Sequence, residues 1–361
     1  MISDLRIPGP TPCPEDVLAS MATPMINHRG PEFAGLIERL TNNSKLVLNT
    51  QNDLFFFTSS GTGSLEAAVV NTLSPGDKVL SVITGFFGER FGKIAELYGA
   101  QVERLESPLG QGADPLAIRK CLSQNPQIKA VLVTHNDTST GVANHLPDIA
   151  KVVKQEFGAL LLVDAVSSAA CLPIYTDEWD CDVVATASQK GFMSPPGISM
   201  ITFSDQAWKA YNSSTMPKLY FDVKQSMNFL SKGQTPWTPC LSVLFALDTA
   251  VKHILEEGIE ETFKRHEKLG EQTREGIEQM RLHLFPDPQF ASNAITAVNV
   301  PPGLDGESLV ESLRLRHNMI IGGGQGTLKG KIIRIGHMGF CFANDVDRCL
   351  NALDAVLRDT G

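Results

Sequence analysis

From about residue 50 onward, short apolar runs alternate with stretches whose apolar positions recur every three or four residues. Runs at 54–58, 78–83, 101–105, 130–134, 159–164, 183–186 and 199–203 predict strands, and 64–73, 91–98 and 146–157 predict helices among them. Continuous apolar strands separated by helices mark a largely parallel sheet covered on both faces, so this part is α/β. The texture changes after residue 240. Ile259, Phe263, His266, Gly270, Thr273, Ile277 and Met280 fall at steps of four and three, giving one face of a long helix. His266 is thereby expected at the edge of a core rather than as a ligand. Strands at 295–300, 319–321 and 331–336, with helices at 309–316 and 344–357, predict a smaller α+β domain. The expected organisation is an arm over 1–20, a large domain over 21–257 and a small domain over 258–361. Ile7-Pro8-Gly9-Pro10-Thr11-Pro12 cannot be helical and reads as an extended arm lying over something else.

Composition narrows the function classes. A chain of 361 residues fits about two domains. Hydrophobic residues at 42%, charged residues at 20% and a mean hydropathy of -0.03 describe a globular protein with a sizeable core. No apolar run approaches the roughly 18 residues of a membrane span, so no membrane partner is expected. A net charge of -9 disfavours sequence-independent nucleic-acid binding, which depends on neutralising phosphates, but leaves room for a small anion in a local pocket. The seven cysteines (Cys13, Cys121, Cys171, Cys181, Cys240, Cys341, Cys349) are scattered without a C-x-x-C pair, which indicates neither zinc nor a disulfide framework. Neither a signal peptide at Met1-Ile2-Ser3-Asp4-Leu5 nor a peroxisomal address at Arg358-Asp359-Thr360-Gly361 is evident; a reduced, cytoplasmic protein is expected.

Three places carry chemistry. Thr58-Ser59-Ser60-Gly61-Thr62-Gly63-Ser64 follows an apolar strand and opens a helix, where small residues and free N–H groups favour a phosphate. It is neither a Walker loop nor G-x-G-x-x-G. Asp164 closes the apolar run 160–163 and so lands at the carboxyl edge of the sheet, where it needs a cation or several donors to stay ionised. Lys190 sits among small and apolar residues in Ala187-Ser188-Gln189-Lys190-Gly191-Phe192, and a desolvated amine is able to attack a carbonyl. Each alone has an ordinary alternative: a helix cap, a capping aspartate, a surface lysine. Together they fit one ligand, pyridoxal 5′-phosphate, with its phosphate at the turn, its aldehyde at Lys190 and its ring nitrogen at Asp164. Gly85-Phe86-Phe87-Gly88 supplies an aromatic between glycines as a cover for the ring.

From Pro8-Gly9-Pro10 to Arg334-Ile335-Gly336 the chain resembles the class V aminotransferases of fold type I, in particular the serine–pyruvate/alanine–glyoxylate group. The resemblance implies a large domain with a mostly parallel, seven-stranded sheet and a smaller α+β C-terminal domain. It implies Lys190 as the lysine joined to the cofactor and Asp164 as the partner of the ring nitrogen. Ser60, Gly61 and Thr62 match the phosphate turn, with Gln189 beside the phosphate, and Thr138 matches a hydroxyl that contacts the cofactor. Phe87 stands where many members carry a stacking tryptophan; it stacks with less area. Thr235 and Thr238 match a segment that reaches the neighbouring subunit's phosphate, which implies a homodimer with shared sites; some members carry tyrosine at the position of Thr235. Arg334 matches the arginine holding the substrate carboxylate, for which a planar guanidinium is suited. Asn27-His28-Arg29 is expected near the site without an assigned role. The implied reaction moves the amino group of alanine or serine to glyoxylate or pyruvate.

Three other readings compete. A desulfurase or lyase on the same fold needs a reactive loop cysteine, whereas Cys341 and Cys349 follow the Arg334 strand and read as structural. A non-catalytic protein retaining the fold is the second. A nicotinamide-dependent dehydrogenase is the third, without a dinucleotide fingerprint after any strand.

Overall fold

A computed structural model describes residues 4–360. Its strands are β1 (Asp4–Arg6), β2 (Asp53–Ser59), β3 (Lys78–Ile83), β4 (Gln101–Glu106), β5 (Ile128–Thr134), β6 (Asn136–Asp137), β7 (Val142–Ala143), β8 (Leu160–Asp164), β9 (Val183–Ala187), β10 (Gly197–Phe203), β11 (Ile295–Asn299), β12 (Met319–Gly323) and β13 (Ile332–Gly336). The helices are α1 (Glu15–Ser20), α2 (Pro31–Val47), α3 (Gly61–Thr72), α4 (Phe86–Leu97), α5 (Pro115–Gln124), α6 (Leu146–Ala150), α7 (Asp205–Ser213), α8 (Val223–Leu230), α9 (Leu241–Glu257), α10 (Ile259–Gln279), α11 (Gly306–His317) and α12 (Ala343–Thr360).

Seven strands form the main sheet in the order β2-β10-β9-β8-β5-β3-β4, with β10 antiparallel to both neighbours and the other pairs parallel. Every residue of β8 and β9 is buried, because helices cover both faces. Side chains alternate between two cores. Val131, Val133, Leu161 and Val163 pack with Leu40 of α2 and Leu244 of α9. Ala130, Leu132, Leu160 and Leu162 pack with Val69 of α3 and Phe91 of α4. This two-sided burial is why the strands read as unbroken apolar runs rather than as alternation.

A second sheet, β1-β12-β13-β11, packs on α10, α11 and α12 through Leu269, Ile277, Leu313, Ile333, Ile335 and Leu353. Gly258, at φ 88, ends α9 and opens α10 in a backbone region that L side chains rarely adopt. The extended N-terminal segment does more than lie over a surface: Asp4–Arg6 pairs in parallel with Met319–Ile321 and becomes an edge of this second sheet. Helix α4 begins at Phe86, five residues before the predicted start at 91. Glycines 85, 88 and 92 interrupt its apolar pattern, and its first turn is held by side chains from elsewhere. Among the described residues, no helix is long and apolar enough to cross a membrane.

Candidate active site

The parallel strands β2, β8 and β9 send their carboxyl ends to one edge of the main sheet, where open α/β sheets form ligand crevices. A cavity of about 320 Å³ lies there, lined by Ser60, Gly61 and Thr62 after β2, Asp164 and Val166 at β8, and Gln189 and Lys190 after β9. Phe87 and Arg90 of α4 line it as well, and Gly9 and Pro10 complete it from the N-terminal segment.

Ser60 is the N-cap of α3 in extended backbone, and the amides of Gly61 and Thr62 have no acceptor among the described residues. Those free N–H groups, at the positive end of a helix, form an anion seat. Gly61 is required by a close approach: a Cβ there would lie 2.6 Å from Val166 Cγ2. The buried Gln189 Oε1 also lacks a hydrogen-bond partner.

Asp164 is 4% exposed. It accepts hydrogen bonds from the Val166 amide (3.0 Å) and the Thr134 hydroxyl (3.4 Å), and it belongs to no ion pair among the described residues. Burial therefore pushes its pKa up to about 7, with the nearby Asp137 adding to the rise. Lys190 follows β9 in a tight turn, and its Nζ donates to the Pro8 carbonyl. Burial pushes its pKa down to about 8; Asp164 opposes that shift, while Arg334 and Arg90 reinforce it. A Cβ at Gly9, whose φ is +117, would overlap the Lys190 side chain.

Thr138 and Arg334 do not line the cavity but meet each other beside it. Arg334 Nη1 donates to the Thr138 carbonyl and Nε to the Gly323 carbonyl, each at 2.7 Å. Burial lowers the Arg334 pKa to about 10. The Thr138 hydroxyl makes no hydrogen bond among the described residues. Thr235 and Thr238 lie away from the cavity of their own chain; Thr235 Oγ1 donates to the Trp237 carbonyl at 2.8 Å. The segment 27–29 joins them there rather than the cavity, as Arg29 donates to Gln234 Oε1 at 3.0 Å and covers the Phe229 ring. His266 is fully buried in the small-domain core. Its Nδ1 donates to the Thr262 carbonyl at 2.7 Å and its Nε2 accepts the Gly339 amide at 2.9 Å. Cys341 and Cys349 are fully buried, with burial holding both thiols well above the usual range.

The arm expected to lie over something else covers this cavity through Gly9 and Pro10, whereas Arg90, Asp137 and Ser139 have no role in the sequence reading. Arg90 lies over the rings of Phe86 and Phe87, 4.9 Å from each centroid, and donates to Thr62 Oγ1 at 3.4 Å. The dipeptide Phe86-Phe87 with an arginine one turn later is the signal that would have pointed to it.

An anion seat, a buried carboxylate without a cation and a desolvated amine around one cavity suit a group with a phosphate, a protonated ring nitrogen and an aldehyde. On the seven-stranded α/β sheet they define a pyridoxal 5′-phosphate enzyme of fold type I. A family model for class-V aminotransferases matches residues 9–348, and the chain belongs to that family. It is a pyridoxal 5′-phosphate-dependent aminotransferase.

Among curated relatives, a protein named soluble hydrogenase small subunit from Synechococcus sp. is 41% identical, across 99% of this chain and 93% of its own. That name describes a different reaction from the family's. The serine–glyoxylate aminotransferase of Arabidopsis thaliana is 35% identical across 99% of this chain and 90% of its own. The crystal structure of an alanine–glyoxylate aminotransferase from Nostoc sp. superposes with a TM-score of 0.95 at 31% identity, covering 99% of this chain and 96% of that one.

Proposed function

We propose that this aminotransferase moves the amino group of alanine or serine to glyoxylate or pyruvate, as a cytoplasmic homodimer. The observation carrying the reading is the convergence of Lys190, Asp164 and the Ser60–Thr62 amides on one cavity, with Arg334 beside it. The relatives that act on serine or alanine with glyoxylate support the substrate choice.

Ser60, Gly61, Thr62 and Gln189 would hold the cofactor phosphate, Phe87 would cover the ring, Thr138 would offer its free hydroxyl, and Asp164 would be the counter-ion of the ring nitrogen. When bound, the cofactor supplies an electron sink for the pair left as the donor's Cα–H bond breaks. Lys190 Nζ would take that proton from Cα and deliver it to a different carbon, a task suited to an amine with a pKa of about 8 near neutral pH. Arg334, fixed by the Gly323 and Thr138 carbonyls, keeps Nη2 for the substrate carboxylate. Thr235 and Thr238, outside their own cavity, reach the phosphate bound by a second copy. The domains divide at residue 258, where α9 and α10 meet at Gly258.

The test is an absorbance titration of the cofactor-loaded protein with L-alanine and then L-serine. Conversion to the spectrum of the amino form of the cofactor, reversed by glyoxylate or pyruvate, supports the reading and identifies the better donor. A cofactor band that neither donor alters overturns the substrate assignment. A monomer by light scattering overturns the shared site.

A further inference from the structure

Asp137 and Ser139 belong to the hairpin that follows β5, and both are buried. Ser139 gives its amide and hydroxyl to Asp137 Oδ1, at 3.0 and 2.6 Å. The amides of Phe87 and Gly88 donate to Oδ2, at 3.0 and 3.2 Å. Ser139 Oγ in turn accepts the Phe86 amide at 2.8 Å. The first turn of α4 is thus capped by a hairpin 50 residues along the chain, because its N-cap, Gly85, has no side chain to offer. A Cβ at Gly85 would lie 2.5 Å from both Asp137 and Ser139, so the clamp requires glycine there.

Between the two clamping residues stands Thr138, whose carbonyl accepts Arg334 Nη1. Asp137 also favours the charged form of the Arg334 guanidinium against the cost of burial. One side of this carboxylate therefore fixes Phe87, and the other fixes the peptide that aims Arg334. Burial pushes the Asp137 pKa up, but both of its oxygens face only N–H and O–H donors, an arrangement that neither serine nor asparagine reproduces.

We propose that Asp137 is a positioning residue that sets the cofactor's ring cover, Phe87, and the substrate-binding arginine, Arg334, in one frame. The proposal rests on the roles assigned to Phe87 and Arg334 above. Asp137 does not line the cavity; it acts through the α4 amides and the Thr138 peptide.

The experiment uses Asp137→Asn, in which one oxygen becomes an N–H donor facing backbone donors, and Ser139→Ala, which keeps the proposal testable if the first variant folds poorly. Pyridoxal 5′-phosphate is titrated into cofactor-stripped protein by fluorescence, and kcat and KM are measured separately for alanine and serine. Either variant is expected to weaken cofactor binding and raise donor KM together, each by roughly tenfold, as for lost hydrogen bonds to a charged group. In a Phe87→Ala background, Asp137→Asn should cost less than about threefold in cofactor affinity, because residues acting through one another are not additive. Lower thermal stability with unchanged cofactor affinity and KM overturns the proposal, as does an equal affinity loss in both backgrounds. If Phe87→Ala leaves cofactor affinity unchanged and Arg334→Lys leaves KM unchanged, the assigned roles fail instead.

Discussion

The two ends of the cleft are built in different ways. At the proposed cofactor end, the Ser60–Thr62 turn, Asp164 and Lys190 each lie at or just beyond a strand of one sheet, so local sequence sets their place. At the proposed substrate end, Arg334 lies on β13 of the second sheet and is held by the carbonyl of Gly323 on the adjacent strand β12 and by that of Thr138, which comes from the main-sheet side. On the proposed reading, chemistry that needs a fixed ring sits on one sheet, and recognition of a carboxylate depends on how two sheets meet.

Substitutions at the two ends should therefore fail differently. Lys190→Ala should lower kcat by about a thousandfold or more in steady-state assays, since it removes the group that moves the proton; retained turnover would contradict the assignment. Arg334→Lys should instead raise the donor KM by roughly 10- to 100-fold with less change in kcat, because an ammonium cannot hold the Gly323 and Thr138 carbonyls and reach the carboxylate as well. His266→Ala should lower stability by about 1–3 kcal/mol in thermal melts, as the Gly339 amide loses its acceptor in a dry core. Burial holds the His266 pKa at about 3, so its share of stability is present above about pH 6.5 and is lost as pH falls toward 3.

Asp164 runs the other way. Its folded pKa of about 7 lies above the carboxylate value of 3.8, so the cofactor-free folded protein holds a proton that the unfolded chain has released. Its contribution to stability thus falls as pH rises from about 4 to 7. The stability difference between wild type and Asp164→Asn, measured without cofactor, should decline over that window; a flat difference would exclude the shift. The smallest effect belongs to a surface control. Leu97 is 74% exposed on α4, and Leu97→Ala should change stability by less than about 0.5 kcal/mol and leave kinetics unaltered.

The same contrast explains what was legible in the sequence. Strands buried on both faces announce themselves as apolar runs, and β3 was placed at its observed bounds. The turn at Ser60, Asp164 and Lys190 are legible as candidates because each adjoins such a run, and the cavity brings them together. The start of α4 was not legible, because a capping carboxylate 50 residues away replaces the usual local cap. Helix α2 buries Thr41 and Ser44 on its apolar face, which blurs its stripe. Arg90 reads as one more helical arginine until Phe86 and Phe87 are seen beneath it. Asp137 carries no local signal beside Thr138, because its partners are amides of α4 about 50 residues away.

The pairing of Asp4–Arg6 with Met319–Ile321 has a consequence for how the protein is made. A chain leaving the ribosome presents the phosphate turn, Asp164 and Lys190 well before strand β12 exists. Until β12 emerges, β1 has no edge to join, and the Pro8-Gly9-Pro10 wall of the cleft has no anchor on that side. Joining ends so far apart along the chain carries a loop-closure cost that early local contacts do not repay. Along the chain, the groups that face the cavity from the main sheet thus precede the strand that anchors the wall over them.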